Sequence, residues 1–355
     1  MSRAASDNLL HFVGSVPLKD AEDVFRQLSD SVGPYASRLP DGETAERSRW
    51  IFFQREILAS HPAVEVDPTV PEFELRQWDG KVIRSIPLLR FKADADPDSL
   101  TFETGYDQAA EYSWGVFRGL QDDGVIRDSA RFQVSLPTPM ATAYFYVSHK
   151  ARDAYLAVYE RSLMQALQNI LETVPADKLT IQFDVCQEVL VFEDYFDHRP
   201  DNYKQQIFEL LGRLGDAVPN GVELGYHLCY GTPAEEHLVM PKDAGILVEL
   251  LNGITSHVQR TVDYVHLPVP AHCKSEEYFL PFRDYQGPDA TKLYVGLIHH
   301  GDEAGDKERI ATAAKFIPNM GVATECGWGR ADPGTVASLL KSHRVAAETL
   351  AGLSD

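Results

Sequence analysis

Short apolar runs alternate with longer amphipathic stretches along most of the chain. The runs at Leu9–Val13, Tyr35–Leu39, Phe132–Leu136, Leu179–Phe183, Val222–Tyr226, Tyr264–Leu267, Leu293–Ile298 and Gly321–Thr324 have the length and composition of strands. Helical patterns lie between most of them. From Ser148 to about Thr173, the residues Tyr155, Val158, Tyr159, Leu163, Leu167, Ile170 and Leu171 recur at three- and four-residue spacing. They form one apolar stripe, which Pro175 closes. Asp306–Ile317 repeats the pattern, with Ile310, Ala313, Ala314 and Ile317 on one face and Pro318 as its stop; Val336–Leu350 is the last helix. Eight strand candidates alternating with helices predict parallel βα units, and eight strands close a (β/α)8 TIM barrel. Residues 62–128 do not fit a simple unit. They hold the Asp- and Pro-rich stretch Lys92–Asp98 and the strand-like Lys81–Leu89, and read as an insertion or lid. No repeat or convincing linker interrupts the chain, so residues 1–355 read as a single domain.

Composition narrows the function classes. Hydrophobic content of 44% is ample for a packed interior, and 53 acidic against 33 basic side chains give a net charge of -20. Such a surface repels phosphate backbones and anionic lipid, which argues against nucleic-acid and membrane partners. Met1 to Asn8 is polar, without the pattern of a secretory signal, and there is no run of 18 apolar residues. Four cysteines in 355 residues do not make a disulfide scaffold. A reducing cytoplasm is the expected compartment, and there a Cys/His cluster reads as metal or catalysis first.

The candidate chemistry sits where the strand runs end. His227 and Cys229 are two residues apart and project from one side of an extended segment. Cys326 follows Gly321–Thr324, far downstream. Thiolate and imidazole are preferred zinc ligands, and three protein ligands with one open position is the catalytic pattern. The competing reading is two buried structural cysteines and a core histidine. Other chemical groups follow the remaining runs: Ser15 after the first, Asp41-Gly42-Glu43 after the second, Asp184 after Leu179–Phe183, and His299 and His300 after Leu293–Ile298, while His266 lies within Tyr264–Leu267. In a barrel, all of these gather at one rim.

These segments resemble, in order, those of the cobalamin-independent methionine synthases. His227-Leu228-Cys229-Tyr230 resembles the family's metal-binding HxCY segment, and Glu325-Cys326-Gly327-Trp328-Gly329-Arg330 its later DCG-type segment. Val13-Gly14-Ser15-Val16-Pro17 is similar to the GSFP start, Gly42-Glu43 to the GE carboxylate, Ile181-Gln182-Phe183-Asp184 to the IQIDEP strand, and Gly296-Leu297-Ile298-His299-His300 to the GVYDIH strand end. The resemblance runs from about Leu9 to Arg330 and corresponds to the C-terminal, catalytic half of the full-length synthases. It implies a (β/α)8 barrel with zinc at the C-terminal rim, where a thiol acceptor is held as thiolate and attacks the methyl group of an activated donor. By that resemblance His227, Cys229 and Cys326 are zinc ligands. Asp184 and Glu43 hold the acceptor's ammonium group, and Ser15 its carboxylate. Trp328 forms a pocket wall, and His300 or His299 carries a proton near the leaving group. The chain departs from the family in two places. Where the family has a glutamate as fourth ligand, the strand reads Asp263-Tyr264-Val265-His266-Leu267-Pro268, which leaves His266, Glu249, or solvent or substrate for that place. The segment Pro139–Tyr146 lacks the tryptophan against which the family stacks folate.

The expectation is therefore a zinc-dependent methyltransferase acting on a small thiol such as homocysteine. Its donor is a methyl-folate, a methyl-corrinoid protein or a methoxylated small molecule. Two rivals stand beside it: a metal-independent lyase or decarboxylase of the same superfamily, and a non-catalytic zinc or small-molecule binding barrel. Several residues also have bland readings: Glu43 as a helix-start acid, Ser15 as a turn residue, Asp184 as half of a structural salt bridge. Cys186 and Cys273 read as inert thiols, with Cys186 able to line the pocket beside Asp184. His11, His237 and His272 receive no role.

Overall fold

A computed structural model describes residues 8–233 and 236–353. Its centre is a curled parallel sheet of seven strands: β1 (Arg38–Pro40), β6 (Arg131–Pro137), β7 (Leu179–Val185), β8 (Glu223–Leu228), β9 (Tyr264–Pro268), β10 (Lys292–Ile298) and β11 (Gly321–Thr324), adjacent in that order. Strands β2 (Val64–Val66), β3 (Phe73–Arg76), β4 (Val82–Ile86) and β5 (Leu89–Phe91) lie outside this sheet, paired β2 with β5 and β3 with β4. Helices connect successive sheet strands, as parallel neighbours require. The helix Arg152–Thr173 buries Tyr155, Val158, Tyr159, Leu163, Leu167 and Ile170, the stripe expected from spacing. Every residue of β7 and β9 is buried, as in a sheet covered on both faces.

The first strand candidate, Leu9–Val13, does not become a strand. Leu10 makes isolated parallel bridges to Ala36 on one side and Val322 on the other, so the segment runs between the two sheet edges without a ladder. The carbonyls of Phe12 and Val13 instead accept hydrogen bonds from Gln133 Nε2 at 2.9 and 3.0 Å, and Val13 also from Gln182 Nε2 at 2.8 Å. Side chains from β6 and β7 take the acceptors that a strand partner would use. The expected eight-stranded closed barrel is thus, in hydrogen-bonded strands, a seven-stranded half-barrel.

The segment 62–128 also divides. The helix Tyr106–Asp122 belongs to the barrel wall, with Phe117 packed on Phe25 at 5.2 Å and on Phe132 of β6 at 5.6 Å between ring centres. What remains of the insertion is the two small antiparallel pairs. The β3–β4 hairpin is pinned by Phe73, stacked on Phe145 and Phe196 at 5.8 and 5.9 Å. No helix among the described residues is long and apolar enough to cross a membrane.

Candidate metal centre and active-site cavity

The C-terminal ends of the strands open into a cavity of about 610 Å³. Its wall includes Ser15, Glu43, Asp184, His227, Cys229 and Cys326, which the sequence placed at one rim. His227, Cys229 and Cys326 offer donor atoms that all lie within 4.8 Å of one another. Cys326 Sγ stands 3.7 Å from Cys229 Sγ and 3.8 Å from His227 Nε2. With zinc–sulfur bonds of about 2.3 Å, two thiolates on a tetrahedral zinc are about 3.8 Å apart. The donor set and its spacing therefore fit a tetrahedral zinc with one place left over.

The histidine is oriented by a relay that fixes its tautomer. His266 Nε2 is 2.9 Å from the Thr324 carbonyl, which can only accept, so this nitrogen carries the hydrogen. Burial, helped by His227, lowers the His266 pKa well below its ordinary value and keeps the ring neutral. Its Nδ1 is then the acceptor for His227 Nδ1–H at 2.7 Å. That leaves the Nε2 lone pair of His227 facing Cys326, as a metal ligand requires. His266 is therefore not the fourth ligand, because both its ring nitrogens are engaged. Glu249 is not one either: it lies on the helix Gly245–His257, paired with Lys204 at 2.6 Å.

The two thiols are shifted in opposite directions. Hydrogen bonding from Cys229, aided by the nearby Arg330 guanidinium, holds the Cys326 thiol well below its usual pKa against the opposing effect of burial. Cys229 is pushed up, first by hydrogen bonding with Cys186 and then with Cys326. Cys326 is the first thiolate of the pair, and the Arg330 guanidinium lies 3.7 Å from its sulfur.

Opposite the thiols stand two carboxyls. Asp184 accepts from Gln182 Nε2 at 2.9 Å and Trp50 Nε1 at 3.0 Å, and burial raises its pKa to about 8. Glu43 is raised well above its ordinary value by burial and then by Asp184. The neighbouring Asp41 is neutralised by Arg47 at 2.5 Å and by Ser113, so Arg47 is already committed to another acid. The loop that carries Glu43 is strained: Glu43, Ala45 and Trp50 all have positive φ, at 46, 59 and 53°. Each such residue costs of order 1–3 kcal/mol, and such strain clusters at functional sites.

Glycines let the Cys326 loop close over Ser15. A Cβ at Gly329 would stand 2.5 Å from the Ser48 carbonyl, and one at Gly327 would strike Ser15. With both absent, Trp328 N–H donates to the Ser15 carbonyl at 2.7 Å and Gly329 N–H to Ser15 Oγ at 3.1 Å.

Three expected site residues lie elsewhere. The Trp328 side chain points away from the cavity, donating to Thr324 Oγ1 at 2.8 Å and packing on His343; its neighbours Gly327, Gly329 and Arg330 line the wall instead. His299 bonds the Val269 carbonyl at 3.0 Å, and burial lowers its pKa to about 4. His300 is exposed, with Nε2 2.9 Å from Ser338 Oγ. Conversely, the cavity gains residues that sequence reasoning passed over. Trp50, Phe52, Phe145 and Ile83 make an apolar wall, Arg49 and Arg84 add cations, and the insertion reaches the cavity through Ile83 and Arg84. His237, given no role, pairs with Glu325 at 2.8 Å behind Cys326. Only for Cys186, two residues past Asp184, was there a usable sequence signal.

No protein-family model matches the sequence, and no curated protein is detectably similar. Solved structures do match. A B12-independent methionine synthase from Shewanella sp. W3-18-1, in complex with selenomethionine, superposes with a TM-score of 0.57 at 14% identity, covering 98% of each chain. The fold is that of the B12-independent methionine synthases. A Listeria monocytogenes chain provisionally assigned as such a synthase gives a TM-score of 0.53 at 13% identity, over 92% of this chain and 86% of that one. A methyltransferase from Methanosarcina mazei gives 0.54 at 11% identity, over 92% and 84%.

Proposed function

We propose that this protein is a zinc-dependent methyltransferase that moves a methyl group from an activated donor to a small amino-bearing thiol of the homocysteine type. The observation that carries the reading is the convergence of His227, Cys229 and Cys326 at tetrahedral spacing in the same cavity as two buried carboxyls. Bound by those three residues, zinc would hold an incoming thiol as its thiolate near neutral pH. The chain's own residues supply the rest. Glu43 and Asp184 receive the acceptor's ammonium group, whose charge would ionise both and relieve their mutual repulsion. Ser15, on the cavity wall, would receive the acceptor's carboxylate end. Trp50, Phe52, Ile83 and Phe145 exclude water from the opposite side and leave an apolar surface for the methyl donor. Fixing both partners in one cavity aligns sulfur and methyl carbon for in-line attack.

The test is transfer of a labelled methyl group to homocysteine by zinc-loaded protein, with 5-methyltetrahydrofolate and methylcobalamin as donors, beside Cys326→Ser. Labelled methionine from the wild type and none above background from the variant is the expected result. Equal product from both would refute the assignment. The fold match supports the reading, because the similar structures include methionine synthases and a methyltransferase.

A further inference from the structure

Strands β7 and β8 run parallel, with Asp184 opposite His227 and Val185 opposite Leu228. The Cys229 N–H continues that ladder onto the Val185 carbonyl at 3.1 Å. The ladder ends there: Cys186 caps the helix Gln187–Phe192, and Cys229 is the first residue past β8. Asp184 and His227 are register partners, and Cys186 and Cys229 follow them two residues on, all four lining one cavity.

The surroundings of Cys186 agree with that placement. It is buried, at 2% exposure, and lines the same cavity as the three donors. Its Sγ lies 3.5 Å from where a Gly231 Cβ would stand, while the Gly231 N–H donates to Cys229 Sγ at 3.3 Å. The two sulfurs flank one glycine. His227, Cys229 and Cys326 leave one tetrahedral place, and the structure removes His266 and Glu249 from it. Asp184 has both carboxylate oxygens hydrogen-bonded, and Glu43 packs across the cavity against Gly14. Thiolate is also the softer donor, the type that suits a sulfur-rich zinc site.

We propose that Cys186 is the fourth, displaceable ligand of the metal centre before the acceptor thiol arrives. This rests on the zinc reading above. On exchange, the metal–sulfur bond to Cys186 breaks as the bond to the acceptor's sulfur forms, and the acceptor's thiol proton passes to Cys186. The charge of the cavity is unchanged, so no uncompensated charge is buried beside Glu43 and Asp184. Cys186 thereby closes the site to water until a thiol enters.

X-ray absorption at the zinc edge tests this on the full zinc-loaded chain, for wild type and Cys186→Ser, without and with homocysteine. Wild type is expected to show three sulfurs and one nitrogen in both states. Cys186→Ser is expected to show two sulfurs, rising to three with homocysteine. Two sulfurs in the thiol-free wild type, rising to three on addition, would overturn the proposal and leave the zinc reading intact. Failure of the wild type to bind zinc would overturn both. The thiol-free wild-type count decides the matter by itself, so it stands even if circular dichroism shows the variant misfolded.

Discussion

Asp184 offers a quantitative check on the electrostatics of the cavity. Its carboxyl has a pKa of about 8 in the folded chain against an ordinary value of 3.8, chiefly through burial. A raised folded pKa means that the folded state binds the proton more tightly. The resulting stability is full below about pH 4 and is lost as pH rises towards 8. Within that window the group withdraws about 1.4 kcal/mol per pH unit, roughly 6 kcal/mol across the whole of it. Asp184→Asn removes the titration while keeping size and polarity. On metal-free protein, urea unfolding at pH 5, 6, 7 and 8 should show wild type losing stability relative to the variant by about 4 kcal/mol across the series. Glu43 is raised as well, so wild type falls at least this steeply. Parallel profiles for the two proteins would refute the reasoning, because Asp184 would then already be ionised in the fold.

Three other perturbations probe the framework. Gly329→Ala sets a Cβ 2.5 Å from the Ser48 carbonyl, and overpacking of this kind costs about 1–3 kcal/mol, so the melting temperature and zinc retention against a chelator should fall together. Unchanged melting would mean the Cys326 loop is not held against Ser15. His266→Phe keeps an aromatic ring but removes the partner of His227 Nδ1; zinc affinity by chelator competition should drop about 10- to 100-fold with the fold intact, and unchanged affinity would contradict the relay. Arg38→Met strips Glu223 of its bidentate partner at 2.8 and 2.9 Å, a loss of about 3 kcal/mol or more. Adding Glu223→Gln should recover part of this in denaturant titration, and simple additivity of the two losses would count against a buried pair.

Much of this architecture is legible in the sequence because strands buried on both faces are short apolar runs. β6, β7, β9, β10 and β11 each fall within two residues of their expected ends. Leu9–Val13 misled because its apolar pattern records burial, whereas its Phe12 and Val13 carbonyls bond the side chains of Gln133 and Gln182 and break off the ladder. No local pattern reports such long-range partners. The donor set was legible for a related reason: His227 and Cys229 are locked to one side by strand alternation, and β11 ends where Cys326 must meet them. Trp50 was not, since it reaches Asp184 from a coil whose positive φ has no signature in its residue type. A strand-end position says nothing of side-chain direction: of the histidines after β10, His299 turns to the Val269 carbonyl and His300 to the helix at Ser338.

The central claim is that His227, Cys229 and Cys326 hold a metal. Elemental mass spectrometry of the purified protein, beside Cys229→Ser/Cys326→Ser, tests it most directly. The account predicts about one zinc per chain in the wild type and its loss in the double variant. A wild type that stays free of metal after incubation with zinc under reducing conditions would contradict it, and the cavity would then have to work through Asp184 and Glu43 alone.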